Sequence, residues 1–540
     1  MNNSAENIYN QYLEAEQFKS SIGRLGLYEQ TRINERFYVG DQWHGVGCGS
    51  DRPLVRHNII KRIGEYKIAQ LGGKPLSVRY SVEGLAQNTA VRQAVKARRK
   101  KLAQAGAALF APNDFGDDAG LMVSALNSYR KTVAERVGFE GIISEALKDA
   151  YIRGTGVVYT YFDPDIKTGL YADRIGGTPI MGDIVCECVK VENVFFGDPA
   201  VCDLQKQPYI ILKEEKTVDE IAAELKRYGG TSRQLARLKD QKNEKQILLT
   251  KLFKIKEADG VTRVYATRVT EKDIIRPPFY IGISVYPISV FSWEQRDRNI
   301  YGDSEITYLI PNQIAINRMI TAGVWSAMSS GMPLMVVNGD MVPTDITNDP
   351  GQIIRAYGSP EEIESAVKFI SPPDYSSGYM SAVESLIYNT LTQSGANEAA
   401  LGDLDAANTS AIIELRNAAS GYLLPLKNRY YRFVEDISLI WAEFFFGLYG
   451  KRGLKVRDEN GEWYFPFDPD KFKSLVLTVC VSADEEVSRG EQETVTILNN
   501  LLEKGAVTPA QYLRRLPRGL VPDTELLLVV LAAKEKEEAV

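Results

Sequence analysis

The stretch "DSEITYLIPNQIAINRMITAGVWSAMSS", Asp303 to Ser330, decides the fold. Ile306, Leu309, Ile310, Ile314, Met319, Ile320, Val324 and Met328 recur at helical spacing and make one wide apolar face. Asp303 or Ser304 opens the helix, with Glu305 in its first turn where the helix dipole favours an anion. Pro311 marks either a kink or the true first turn. From Pro311 to Ser330 alone such a helix extends ~30 Å. Ala322, Gly323, Ser326, Ala327 and Ser329 are small enough to let a second helix come close.

Downstream, residues 331–374 read as a compact insert. Three short strand candidates, "PLMVV", "QIIRAY" and "AVKFIS", surround one acidic helical turn, "SPEEIES". A second long helix begins near Tyr375 ("SSGYMSAVESLIYNTLTQ"). The polar, small-residue stretch "LTQSGANEAALGDLDAANTSA" follows, and loops of that length inside a compact chain are usually functional or disordered. A third helical pattern then runs to about Gly450, with a kink expected near Gly421 to Pro425. The order is helix, small β insert, helix, polar loop, helix. A strand pair, "EWYFPF" and "SLVLTVCVS", and a helical segment from Glu485 complete the chain.

Upstream, apolar positions from Ala5 to Tyr38 have helical spacing, and "HNIIKRIGEYKIAQL" is a further helix stopped by Gly72 and Gly73 before the strand "LSVRYSV". Residues 86–136 are helical but rich in Ala, Lys and Asp, as expected of an inserted or peripheral excursion. Strand signals dominate from Gly182 to Trp293, broken by the helix "TVDEIAAELKRYG", whose Thr217 and Glu220 form a capping box. The fold class is α+β and predominantly helical.

With 540 residues, 44% of them apolar, the chain can bury sizeable cores. Its five cysteines lack paired spacing and no signal peptide precedes the first helix, so a reducing compartment without disulfides is expected. Cys186 and Cys188 alternate along a strand and point to one face, where packing outweighs zinc. The uncharged window from Met319 to Gly339 approaches the ~20 residues of a membrane span. It is too rich in Ser, Gly and Pro, and Gln313, Asn317 and Arg318 precede it on the same helix. A net charge of −6 argues against a broad basic surface that grips nucleic acid, though not against a protein past which DNA must slide. The one basic run, "VKARRKKLAQ", spreads its charges around a helix as a solvated face does.

No convincing active site emerges. "LGGKPLS" has Pro75 where a phosphate loop needs a hydroxyl, and no G-x-S-x-G elbow occurs. His44 and His57 are the only imidazoles, and His57 opens a helix, where capping or packing is its expected role. Asp117 and Asp118, Asp163 and Asp165, and Asp403 and Asp405 could hold Mg²⁺, but each pair lies in a turn context. No catalytic residue, metal or cofactor is expected.

"YGDSEITYLIPNQIAINRM", the small insert and "TQSGANEAALGDLDAANTSAIIELRN" together resemble, in that order, the portal proteins of tailed double-stranded DNA bacteriophages. "FYVGDQWHG", "HNIIKRIGEYKIAQLGGKP" and "ENVFFGDPAVCDLQKQPYI" are similar to the family's wing, so the resemblance covers roughly Ile8 to Ala483. It implies a ring of twelve copies around a central channel at one capsid vertex of the virion, made in the host cytoplasm. Its parts would be wing (1–302, with a possible insertion at 86–136), stem helix (303–330), clip (331–374), second stem helix (375–394), channel loop (395–408), a long kinked wing helix with strands (409–482) and crown (483–540). The implied partners are double-stranded DNA held non-specifically, the major capsid protein, the large terminase subunit and head-tail adaptors, with no membrane.

On that pattern Ile314, Arg318, Ala322, Trp325, Ala327 and Met328 would form the stem interface between copies. Asp340, Arg355, Glu361 and Glu362 would lie on the clip surface that meets partners. Gln393, Ser394, Asn397, Glu398, Asp403, Asp405 and Asn408 would face DNA. The amides can bond phosphate transiently while the carboxylates repel it, and no Lys or Arg is present to hold it. Two other classes compete: a virus-associated Mg-dependent nuclease or transferase using one acidic pair, and another ring-forming head-tail adaptor, a class usually much shorter than this chain.

Overall fold

The computed structural model describes residues 4–45, 54–73, 76–82, 119–171, 179–239, 244–330, 334–338, 340, 358–370, 377–396, 421–458, 461–469, 477–483, 498–504, 509 and 512–513. Within them the chain is α+β, with helix outweighing strand.

The helical run expected from Ala5 to Tyr38 is two helices, α1 (Ala5–Ser21) and α2 (Leu27–Val39). Gly26 separates them at φ +80°, where a Cβ would lie 2.4 Å from the Ser20 carbonyl oxygen. Only glycine fits that turn. Helix α3 (Ile59–Gly72) is capped by Asn58, whose side chain accepts from Lys61 N–H at 3.1 Å, and leads to β1 (Leu76–Val82).

Helix α4 (Ala119–Val137) corrects the expectation of a peripheral excursion over its last part. Met122, Ala125, Leu126, Tyr129 and Val133 are buried on one face in the main core, Tyr129 packing edge-on against Phe445 and Tyr449. The rest of the expected insertion, residues 86–118, lies outside the described residues. Helix α5 (Phe139–Arg153) ends at Gly154 and feeds β2 (Thr155–Tyr171), which pairs with β3 (Pro179–Val189). Asp163 accepts from Asp165 N–H at 2.9 Å where the β2–β3 register shifts, the turn chemistry expected of that pair.

Strands β4 (Val194–Phe196), β5 (Tyr209–Thr217), β6 (Lys245–Lys256), β7 (Thr262–Val269) and β8 (Ile274–Tyr280) form an antiparallel sheet in chain order. Between β5 and β6 stand α6 (Val218–Arg227), with the Thr217–Glu220 capping box in place, and α7 (Ser232–Lys239), which the sequence pattern did not announce. Helix α1 lies on this sheet, tied by two buried lysines: Lys19 donates to Val191 C=O at 2.6 Å and Lys251 to Gln11 at 2.8 Å. Strand β9 (Ile288–Ser292) returns to the other sheet, whose order is β3-β2-β9.

Helix α8 (Glu305–Ser330) contains Pro311 in its interior, so the proline is not its first-turn residue. The insert holds β10 (Leu334–Val337), α9 (Pro360–Ala366) and β11 (Val367–Ile370), with Leu334 opposite Ile370; the third candidate, "QIIRAY", lies outside the described residues. Helix α10 (Ser377–Gln393) runs back along α8. After a short 3-10 turn at Gly421–Leu423 comes α11 (Leu424–Gly447), so Pro425 begins the described helix instead of kinking it. Leu426, Tyr430, Phe433, Ile437, Trp441 and Phe444 give α11 the buried face of the main core.

The C-terminal strands pair differently from the expectation. Strand β13 (Gly461–Phe467) pairs with β12 (Arg452–Asp458), while β14 (Leu477–Ala483) pairs with β1, Leu76 opposite Ala483. Of the expected crown, residues 498–503 are helical and most of the remainder lies outside the described residues.

Candidate assembly face on the helical hairpin

The first half of α8 is rooted in the body. Ser304 Oγ caps it by accepting from Ile306 N–H at 3.1 Å and donates to Tyr151 C=O at 2.6 Å. Glu305 takes Lys67 at 2.6 Å and the Trp293 indole N–H at 3.0 Å. One turn pair further on, Gln313 and Asn317, both buried, act on α3. Gln313 Oε1 accepts from Ile59 N–H (3.0 Å) and Ile60 N–H (3.3 Å), and Asn317 Oδ1 accepts from His57 N–H (3.0 Å). A helix N-terminus has unsatisfied donors, and here a second helix supplies the acceptors.

After Asn317 the surroundings change. No residue from Arg318 to Met328 is fully buried, and at ~1.5 Å per residue the rest of α8 carries the chain ~20 Å onward. Its companion is α10: Tyr379 Oη donates to Met319 C=O at 2.7 Å, Asn312 to Thr390 Oγ1 at 3.2 Å, and Val383 is buried. The other side of the pair remains open. Met328, Met380 and Tyr388 are 51%, 54% and 53% exposed, and Val324 and Trp325 lie among them as exposed side chains. Of the residues expected at a stem interface, Arg318, Ala322, Trp325, Ala327 and Met328 are exposed, whereas Ile314 is half-buried nearer the body.

The segment expected to face DNA begins on a built helix stop. Ala396 N–H donates to Leu391 C=O and Gly395 N–H to Thr392 C=O, both at 3.0 Å, with Gly395 at φ +76° and Leu391 and Ala396 buried. This is the Schellman arrangement with its apolar contact. Gln393 is exposed in the last turn, and Ser394 is half-buried, its Oγ donating to Leu391 C=O at 2.8 Å. A Cβ on Gly395 would stand 3.1 Å from Tyr422 Cβ, so the chain on either side of residues 397–420 meets at one point. Asn397, Glu398, Asp403, Asp405 and Asn408 lie outside the described residues.

In the insert, Asp340, Glu361 and Glu362 are exposed, and Arg355 lies outside the described residues. Ser359 and Glu362 cap α9 reciprocally at 2.9 and 3.4 Å, and the bonds that the Ser359 N–H and hydroxyl give to the Glu362 carboxylate hold it below its usual range.

The cysteine pair is used in packing. Cys186 is buried, accepts the Trp441 indole N–H at 3.1 Å, and has its thiol pushed up to about 11 by burial; Cys188 is half-buried, 3.9 Å from Asp149. His57 meets α8 through its backbone. Missed from the sequence was the work of Gln313 and Asn317; the available signal was two amides four residues apart on an otherwise apolar helix face. Also missed was Asp183, wholly buried, which pairs with Arg136 and accepts from Tyr449 Oη.

Among the described residues no helix is long and apolar enough to cross a membrane, and no group of three or more His, Cys, Asp or Glu side chains is gathered as a metal would require. No protein-family model matches the chain, and no curated protein matches it in sequence.

Proposed function

We propose that this chain is the subunit of a portal ring, the head-tail connector at one capsid vertex through which a tailed phage packages and ejects double-stranded DNA. The observation that carries the reading is the α8–α10 hairpin. Its root is locked by buried polar contacts, and beyond Asn317 it leaves Val324 and Met328 of α8 and Met380 of α10 exposed to solvent. Each fully buried apolar side chain is worth ~1.5–3 kcal/mol, so a face of this kind is stabilised by neighbours. Small residues at Ala322, Gly323 and Ala327 suit close helix contact, and a hairpin tipped by the β10–β11 pair has the order of stem and clip. In this reading the channel segment begins at Gln393, the clip offers its acidic α9 to the terminase motor and adaptors, and the chain does no chemistry of its own.

The test is the particle formed by purified full-length protein. Negative-stain images should show closed rings with a central opening, and light scattering should give a mass of many subunits. Monomers at micromolar concentration, or open filaments, overturn the reading. Rings in which Asp403→Lys leaves DNA passage unchanged at low salt would remove the DNA-facing role of the loop.

A further inference from the structure

Beyond Glu305, helix α8 carries a single charged residue, Arg318, and α10 carries a single one, Glu384. Both are exposed, and neither forms an ion pair among the described residues. Two contacts between the helices set their heights. Asn312 meets Thr390 at 3.2 Å, and Arg318 follows Asn312 by as many residues as Glu384 precedes Thr390. The helices are antiparallel, so the two charges stand level along the hairpin. The Tyr379–Met319 bond gives the same level to within about one turn, ~5.4 Å.

They fail to meet because they stand on opposite flanks. On α8, Asn312 and Gly323 face α10, a Cβ on Gly323 lying 3.7 Å from the Tyr379 ring. At ~100° per residue Arg318 is turned more than a quarter circle from that direction. It points to the side away from Gln313, Asn317 and Thr321, which bond the backbone of residues 55–59. On α10, Tyr379, Val383 and Thr390 face α8, and Glu384 is turned by a similar angle in the opposite sense along the chain. In an antiparallel pair, turns of opposite sense lead to opposite flanks. Arg318 therefore shares one flank with Ala322, and Glu384 shares the other with Met380. Residues 55–59 bring no carboxylate to the Glu384 flank, and their Arg56 is drawn to Gly40 C=O at 3.2 Å.

A cyclic ring joins two different flanks of each copy, and rotation about its axis leaves height along that axis unchanged. With the hairpin standing along the axis, level residues on opposite flanks of one copy become facing residues of adjacent copies. We propose that Arg318 of each copy pairs with Glu384 of the next. The pairing rests on the ring reading and adds to it which flank meets which. Its work is selection more than adhesion, because like charges facing each other cost more than an opposed pair gains. A two-fold dimer joins like flanks, so at this level it would bring two Arg318 or two Glu384 side chains together. The charges thus favour head-to-tail closure over pairing in twos.

Light scattering on the full chain over a concentration series compares the parent with Arg318→Glu, Glu384→Arg, the double reversal and an equal mixture of the two single variants. Both positions are exposed, so melting curves of the isolated chains should coincide. Each single reversal should raise the concentration of half-assembly by about tenfold or more, since like charges then face each other at every contact. The double reversal should return to within about threefold of the parent. The mixture should recover as well, because alternating copies restore opposite charges at every contact, which a pair made inside one chain would not do. A parent that forms no rings overturns the ring reading and the pair together. Rings in the parent, with a single variant that assembles as the parent does, or with no recovery in the double reversal or in the mixture, overturn the pair and leave the ring reading standing.

Discussion

Lys67 Nζ lies 2.6 Å from Glu305 Oε1 where α3 meets the first turn of α8, with side chains only 10% and 9% exposed. The second Glu305 oxygen accepts from Trp293, so the carboxylate is fully used. The pair fixes the base of the hairpin against the body.

Removing one member leaves a buried charge unmatched. Glu305→Ala should cost ~3–5 kcal/mol, while Lys67→Met combined with Glu305→Leu should cost clearly less. Denaturant titration of the single and double variants decides it. A loss below ~1 kcal/mol for Glu305→Ala would mean that water reaches Lys67.

Gly395 combines φ +76° with a neighbour, Tyr422 Cβ, only 3.1 Å from where a Cβ would stand. Gly395→Ala should therefore destabilise by ~1–2 kcal/mol through the left-handed conformation alone. Gly395→Val should cost more. If both melt with the parent, the helix stop is not held as described.

The Asp436 carboxyl is pushed up to about 6 by burial first, then by Glu435 and Asp203, with Arg432 opposing. An unfolded aspartate titrates near ~3.9, so between these values the folded state holds more protons than the unfolded one. The contribution of this group to stability is then greatest below ~4 and falls as pH rises to about 6. Relative to the parent, Asp436→Asn should melt alike near pH 4 and higher at pH 7. Because Asp436 keeps an exposed face, the gain is smaller than the full shift implies. A difference independent of pH would show that the carboxyl is solvated as in the unfolded chain.

Ala327 is exposed on the open side of α8. If copies pack there, Ala327→Glu places a carboxylate in each contact and should shift particles toward monomer in light scattering, with the melting temperature of the isolated chain unchanged. Unchanged particle mass would move the interface elsewhere.

How much was legible depended on distance along the chain. The Thr217–Glu220 box, the Asp163 turn and the Ser359 cap are contacts within three residues, so their residue types announce them. The amphipathic face of α8 was legible for the same reason. The break at Gly26 was harder, because it depends on a clash with Ser20 that appears only once the turn is formed. Of the candidate site, the open apolar stretch of α8 and the helix end at Gln393 were legible, whereas the polar root was not.

By itself the sequence determined most of the segments that are helix or strand, α7 excepted, where many of them stop, and that α8 carries more apolar surface than one neighbour covers. The tertiary structure decided what each face meets. It paired β1 with β14 instead of β13 with β14, drew α4 into the core, and set Gln313 beneath the open N-terminus of α3. The physical reason is that local structure is set by backbone sterics and hydrogen bonds over a few residues. The partner of a strand edge or a buried amide is set by which unsatisfied group, hundreds of residues away, the fold brings opposite it.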